Sequence, residues 1–207
     1  MTQPDLFGDS FARDGVTVLR RFAESDDVAL VAAIDAIAAE APFRRMTVPG
    51  GGQMSVAMTN AGVGWVTDAQ GYRYSGEDPV SGKLWPDLPP VFVDLAQRAA
   101  AEAGFDFTPD GCLINLYAPG ARMGLHQDRN ERDFSAPIVS VSLGLPARFQ
   151  FGGLRRSDPV ETLVLHHGDV VVWGGPARKA FHGVLTLKPG HHAIGGHRYN
   201  LTFRKAL

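Results

Sequence analysis

Cysteine is nearly missing from this chain: Cys112 is the one thiol in 207 residues. A single cysteine excludes an intramolecular disulfide and suits a reducing compartment, and its place in an apolar run marks a buried, inert thiol. Long apolar runs are missing as well. No stretch reaches the roughly 18 consecutive apolar residues that a membrane-spanning helix needs, and the N-terminus has no signal-peptide pattern, so neither membrane nor export is expected and the cytoplasm is the default. Lysine is scarce, with arginine supplying 16 of the 20 basic residues against 22 acidic ones. The net charge of −2 argues against a uniformly basic nucleic-acid coat. The arginines nonetheless pair up, as Arg20-Arg21, Arg44-Arg45 and Arg155-Arg156. Guanidinium forks match phosphates and carboxylates, although a chain rich in arginine and alanine also shows such pairs by composition. Internal repeats and low-complexity linkers are lacking too, and 44% hydrophobic with 20% charged residues fits one domain with a sizeable core.

In the first half, residues 1 to about 10 read as a loose terminus, and Gly15 to Arg20 alternates like a short strand. Ser25-Asp26-Asp27 has the N-cap and acidic first turn of a helix. The run Val28 to Ala39 then places Val28, Val31, Ile34 and Ile37 in one stripe. Pro42 to Gly64 contains Pro49-Gly50-Gly51-Gly52 followed by Gln53-Met54-Ser55, which reads either as a flap with an adaptable apolar face or as an ordinary hairpin turn. Trp65, Tyr72, Arg73 and Tyr74 lie within ten residues and can stack on a flat ligand such as a base or half-bury in a hairpin. Val91 to Ala103 is a second amphipathic helix, stopped by Gly104.

From Cys112 the texture changes to strands: 112–118, 120–127, 138–145, 148–151, 161–165, 169–173, 181–187 and 198–203. Turn residues separate them, and no helix intervenes. That pattern predicts an all-β double-sheet jelly roll behind the N-terminal helices.

His126 and Asp128, two apart on an extended segment, project from the same side. Imidazole plus carboxylate, with one more histidine, makes the two-His, one-carboxylate face of a non-heme Fe(II) oxygenase, which leaves positions for substrate and oxygen. Six histidines remain for the third place. His166, His167, His191, His192 and His197 sit in turns and a glycine-rich loop and read as solvated. His182, opening an apolar segment after a Gly-Gly-Pro turn, is the favoured candidate. On the last strand Arg198, Asn200, Thr202 and Arg204 face one way, and Tyr199, Leu201 and Phe203 the other. Asn115 and Tyr117 share a face of the first strand of this region. A lumen so polar is costly unless it binds an anion, and a dicarboxylate suits two arginines.

Taken in order, Asn115-Leu-Tyr117-Ala-Pro-Gly-Ala, His126-Gln-Asp128, Pro137 to Leu145, Phe149-Gln-Phe-Gly-Gly153, Gly168 to Gly175, His182-Gly and Arg198-Tyr-Asn-Leu-Thr-Phe-Arg204 resemble the AlkB family. Its members are Fe(II)- and 2-oxoglutarate-dependent dioxygenases that repair alkylated bases, and the resemblance, from about Pro42 to Arg204, is closest to the bacterial enzymes. It implies a double-stranded β-helix core, residues 111–207, behind helices and a nucleotide-recognition lid in residues 1–110. It implies His126, Asp128 and His182 as iron ligands. It implies Asn115, Leu116, Tyr117, Arg198, Asn200, Thr202 and Arg204 around 2-oxoglutarate, with Arg204 on the distal carboxylate. Met54 falls in the lid, Trp65 stacks on the flipped base, and Tyr72, Arg73, Tyr74 and Arg156 lie toward the nucleic acid. Two departures bear on substrate preference: Gly52 stands where the family's lid has an aromatic, and Asn130 where its base pocket has an acid. The implied reaction is oxidative demethylation of 1-methyladenine- and 3-methylcytosine-type lesions with Fe(II), O₂ and 2-oxoglutarate, releasing formaldehyde, succinate and CO₂. Alkylated DNA, single-stranded in preference, is the expected partner of a monomer. RNA, a modified protein and a catalytically silent metal-binding jelly roll are the alternatives.

Overall fold

The computed structural model describes residues 13–207, so the loose terminus expected at residues 1 to about 10 lies outside the described residues. In chain order these form β1 (Val16–Leu19), α1 (Asp27–Glu40), β2 (Arg44–Thr47), β3 (Gln53–Gly62), β4 (Gly64–Asp68), β5 (Gly71–Ser75), α2 (Pro90–Glu102), β6 (Gly111–Tyr117) and β7 (Met123–His126). They continue as β8 (Ile138–Gly144), β9 (Ala147–Phe151), β10 (Glu161–Leu165), β11 (Val170–Trp173), β12 (His182–Val184) and β13 (Arg198–Arg204). A seven-stranded sheet runs β1-β11-β8-β13-β6-β3-β2, a four-stranded sheet runs β10-β9-β12-β7, and β4-β5 forms a separate hairpin. Every pairing is antiparallel, as a jelly roll requires.

The large sheet is covered on both sides, which is why β8 and β13 are buried along their whole length. On its outer face, Leu30, Ile34 and Ile37 of α1 and Phe92, Leu95 and Ala99 of α2 pack on Ile114, Val141, Leu201 and Phe203. Each such side chain removed from water contributes about 1.5–3 kcal/mol. The inner face and the small sheet enclose a second cluster that includes Phe149, Phe151, Trp173, Tyr117 and Val184. The functional groups sit between these two sheets.

All eight strands expected after Cys112 are present, two of them shortened. Beyond the regular ladder Leu185 N–H still bonds Arg148 O at 3.0 Å, while the ends of the two segments bond each other, Gly120 N–H to Leu187 O and Leu187 N–H to Ala121 O at 2.9 Å each. In α1, Val28 is 80% exposed and Leu30 replaces it in the buried stripe. Repeated steps of three drift about 60° per step around a helix with 3.6 residues per turn, so Val28 falls on the far side from Ile37. Ser25 does not cap α1: Glu24–Asp26 forms a 3-10 turn, and Asp26 at the N-cap makes no capping bond. Its carboxylate is held by Arg98 at 2.7 Å.

The glycine-rich segment is the tip of the β2–β3 hairpin, closed by Val48 N–H to Gly52 O and turned at Gly51, φ 81°. Only Ala57–Gly62 of β3 pairs with β6, so Gln53–Val56 runs on beyond that pairing. No helix among the described residues is long and apolar enough to cross a membrane.

Candidate active site

β12 lies between β7 and β9, and His182 is directly opposite both His126 and Phe151. Gly183 permits that close pairing, since a Cβ there would meet Met123 O at 2.8 Å. The two imidazoles come within 4.4 Å, centroid to centroid. His126 Nδ1 is 2.9 Å from Gly124 O and His182 Nδ1 is 3.0 Å from Ala180 O. A carbonyl only accepts, so both Nδ1 atoms carry the proton and both Nε2 lone pairs are free. Those Nε2 atoms each stand 3.7 Å from an oxygen of Asp128. One donor atom from each residue lies within 4.8 Å of the others. Two imidazoles oriented through Nδ1 and one carboxylate fit a divalent iron. Burial, with the neighbouring His126, pushes His182 down to about 4, which keeps it a neutral donor.

Asp128 is held ionised. Burial opposes its charge, but Arg204, then His182 and His126, outweigh that and lower its pKa. Arg204 donates to Asp128 Oδ2 from Nε at 3.0 Å and Nη2 at 2.6 Å, and its Nε lies 3.3 Å from Glu131 Oε1. Arg204, expected on the distal carboxylate of 2-oxoglutarate, has its fork engaged with Asp128 and also lines the neighbouring cavity. Glu131, whose side chain is 1% exposed, also accepts from Tyr74 Oη at 2.9 Å and faces Arg178 at 3.5 Å. Burial raises the Tyr74 pKa, so that hydroxyl stays a donor.

Beside this centre a cavity is lined by Asn115, Tyr117, Ser140, Trp173, Asn200, Thr202 and Arg204 among others. Its walls are cross-braced. Asn200 Nδ2 donates to Ser140 Oγ at 2.8 Å, Thr202 Oγ1 to Asn200 Oδ1 at 3.1 Å, and Asn115 Nδ2 to the same oxygen at 3.2 Å. Arg198, on the same face, sits over the Tyr117 ring at 5.1 Å and donates to Ser142 Oγ at 2.9 Å. Its Nε and Nη1, with Trp173 Nε1, are buried without partners. Burial lowers the Arg198 pKa. Unpaired guanidinium N–H groups are costly to leave dry and fit a carboxylate guest. Strand alternation turns the Leu116 side chain to the outer face, where it packs on the helix-side cluster.

The β2–β3 and β4–β5 hairpins carry most of the remaining candidate residues. Asn60 orients Trp65 by bonding both its N–H (3.0 Å) and its C=O (3.1 Å). Trp65 stacks on Tyr72 at 5.7 Å, and its Nε1–H points at Asn130 Oδ1, 3.4 Å away. Met54 is partly buried against the inner cluster. Arg156 donates to the carbonyl of Leu125, the residue before His126, at 2.7 Å and lies over Phe181, the residue before His182, at 5.4 Å. Arg73 points away from this group, paired bidentately with Asp68 at 2.7 and 2.8 Å. Three of the arginines paired in sequence are likewise engaged with carboxylates: Arg20 with Asp169, Arg21 with Glu24, and Arg44 with Asp78.

Of the histidines read as solvated, His167 and His192 are half-buried, stacked at 4.5 Å, with His167 bonded to Asp27 and Gly144, and His197 packs edge-on against Tyr199 at 4.6 Å. Glu131, Arg178, Ser142 and Trp173 escaped the sequence reading. Glu131 stands in a run of charged residues, Asp128 to Asp133, that resembles any solvated loop, and only its burial distinguishes it.

The model of the 2OG-Fe(II) oxygenase superfamily matches residues 15–204. The chain is 57% identical over 195 residues to the alpha-ketoglutarate-dependent dioxygenase AlkB of Escherichia coli (strain K12), covering 93% of this chain and 90% of that protein. It is 49% identical over 181 residues to an AlkB homolog of Caulobacter vibrioides, covering 86% and 81%. Among solved structures, that of OsALKBH1 superposes with a TM-score of 0.85 at 28% identity, over 94% of this chain and 98% of that one.

Proposed function

The chain belongs to the AlkB family of the 2OG-Fe(II) oxygenase superfamily, and from that premise we propose that it oxidatively removes N-methyl groups from alkylated bases of DNA. It is an Fe(II)- and 2-oxoglutarate-dependent dioxygenase. The observation that carries the reading is the convergence of two histidine Nε2 atoms and an ionised carboxylate beside a cavity lined by Asn115, Tyr117, Asn200, Thr202 and Arg204, with the buried, unpartnered N–H groups of Arg198 over the Tyr117 ring. Iron held there supplies oxygen activation coupled to the conversion of 2-oxoglutarate to succinate and CO₂, with the methyl carbon leaving as formaldehyde.

His126, Asp128 and His182 hold the metal on this reading. Arg198 receives the distal carboxylate of 2-oxoglutarate, with Asn115, Tyr117, Asn200 and Thr202 shaping the cavity. Arg204 keeps Asp128 ionised and oriented. Trp65 and Tyr72 stack on a flipped base under the lid at Met54, because an enzyme that acts on a base edge takes it out of the stack. Asn130 meets the base beside Trp65, Tyr74 and Glu131 back that pocket, and Arg156 reaches a flanking phosphate. Arg73, fixed to Asp68, only braces the hairpin. Residues 1–110 supply helices and lid to one domain whose catalytic roll is 111–207. A monomer in the cytoplasm, acting on single strands more readily than duplexes, completes the proposal, since an unpaired base costs least to extrude.

The test is succinate and formaldehyde release on N1-methyladenine and N3-methylcytosine in single-stranded DNA, duplex DNA and RNA, with a methylated peptide alongside, at one salt concentration. Release dependent on Fe(II) and 2-oxoglutarate, greatest on single-stranded DNA, is expected. Preference for RNA would redirect the substrate, and no release on any arm would leave a silent metal-binding roll.

A further inference from the structure

Between the end of β7 and the start of β8, residues 127–137 carry one proposed metal ligand and the back of the base pocket, yet they belong to no strand. Within the loop the hydrogen bonds are those of Ser135 to Asp133, and its other ties run outward, among them Gln127 Nε2 to Lys179 O at 2.6 Å and Arg132 N–H to Ala206 O at 3.3 Å. A segment without ladder bonds owes its position to side chains from elsewhere. One side chain supplies several at once. Arg178 follows the 3-10 turn Gly175–Ala177 and is 3% exposed. Its Nε donates to Ala136 O at 2.8 Å, its Nη1 to Asp128 O at 3.2 Å, and its Nη2 stands 3.5 Å from Glu131 Oε1. The guanidinium also lies over the Phe134 ring at 5.4 Å.

These contacts reach both ends of the loop and its middle. Asp128 and Ala136 bracket it, Glu131 is the buried acid within it, and Phe134 covers the fork. The same Glu131 oxygen is shared with Arg204, which grips the Asp128 carboxylate. Arg178 thus touches the backbone of the proposed ligand directly and its carboxylate through Glu131 and Arg204. A planar fork with donors in fixed directions can hold three separate acceptors, whereas an ammonium is a single point on a flexible stem.

We propose that Arg178 is a positioning residue: it fixes loop 127–137, and through that loop sets the orientation of Asp128 and the depth of the base pocket. This rests on the reading of the site given above. It acts through other groups and touches no reacting atom.

The experiment compares wild type, Arg178→Met and Arg178→Lys by Mn(II) titration with 2-oxoglutarate present, by KM and kcat on a methylated single-stranded oligonucleotide, and by amide hydrogen exchange. Outer partners of metal ligands typically tune affinity by about 10–100-fold, so Arg178→Met is expected to weaken Mn(II) at least tenfold and to raise the oligonucleotide KM. Exchange should accelerate in 127–137 in both variants while β13 stays protected, a pattern that general destabilisation would not produce. Wild-type Mn(II) affinity and unchanged exchange in 127–137 would overturn the proposal. If Arg178→Met fails to fold, Arg178→Lys decides by the same readouts. Wild-type protein that binds no Mn(II) would sink the metal reading instead, and the exchange comparison would still decide the role of Arg178.

Discussion

β13 and the outer half of β3 are both alternating strands bearing groups assigned to binding, yet they are held in opposite ways. In β13 each residue is buried, and the polar side is tied laterally, Asn200 to Ser140 and Asn115, and Arg204 to Asp128. In β3, Gln53–Val56 has no partner on the β6 side. Its tie there is Ser55, whose hydroxyl donates to Arg122 O at 2.9 Å and accepts from Arg122 N–H at 3.0 Å. The contrast separates two tasks. Donor geometry around a metal and a small dicarboxylate needs fixed positions, and buried polar groups braced against one another supply them. A lid over varied nucleotides needs a strand that can shift at the cost of one or two bonds.

The largest test of this contrast falls on the rigid side. Asp128→Ala and His182→Ala should reduce turnover below detection, read as succinate release. Asp128→Ala should also lose about 3–5 kcal/mol in urea unfolding, because it strips Arg204 of its main partner in a buried pair. Near-wild-type turnover in His182→Ala would place the third ligand elsewhere.

Arg198→Met should raise the half-saturating 2-oxoglutarate concentration on the order of a hundredfold, about 3 kcal/mol. Arg204→Met should act mainly on kcat and metal retention. Equal effects on 2-oxoglutarate saturation would erase the distinction between the two arginines.

A third test uses pH on metal-free protein. His182 titrates near 6.5 when unfolded and about 4 when folded, so the unfolded state binds more protons in that window. Stability attributable to this residue is therefore undiminished above 6.5 and falls as pH drops from 6.5 toward 4, by up to about 1.4 kcal/mol per unit. Urea midpoints at pH 7, 6 and 5 should fall less steeply in His182→Gln than in wild type, and identical slopes would contradict the buried neutral imidazole.

On the adaptable side effects should be smaller. Asn130→Asp adds a charge beside Trp65, and after desolvation and screening that is worth about 1–2 kcal/mol toward a cationic base, on the order of tenfold. kcat/KM should rise for 1-methyladenine and stay level for neutral ethenoadenine, and a parallel change in both would remove Asn130 from the base. Ser55→Ala should cost about 1 kcal/mol of lid closure, raising oligonucleotide KM about fivefold without altering 2-oxoglutarate saturation. A shift in both constants would mean the lid strand is part of the rigid core.

Local rules were enough for the roll and for much of its site. Turn residues and period-two alternation marked the strands after Cys112 and singled out His126 with Asp128, although Asp128 lies just beyond β7 and is held by Arg204 rather than by a strand ladder. The same alternation on β13 set Arg198 to Arg204 against Tyr199 to Phe203, as the two clusters on either side of the sheet show. What local rules could not supply depends on groups far apart in sequence. Arg198 and Arg204 are equivalent by alternation, and only the arrival of Asp128 and Glu131 beside one of them leaves the other with free N–H groups. Glu131 and Arg178 look like surface charges until the fold buries both, and Arg73 looks available until the hairpin register brings Asp68 to it. Side-chain direction along a strand is a property of the backbone and is written locally, whereas the partner a buried charge finds is set by tertiary packing, through desolvation that no local pattern encodes.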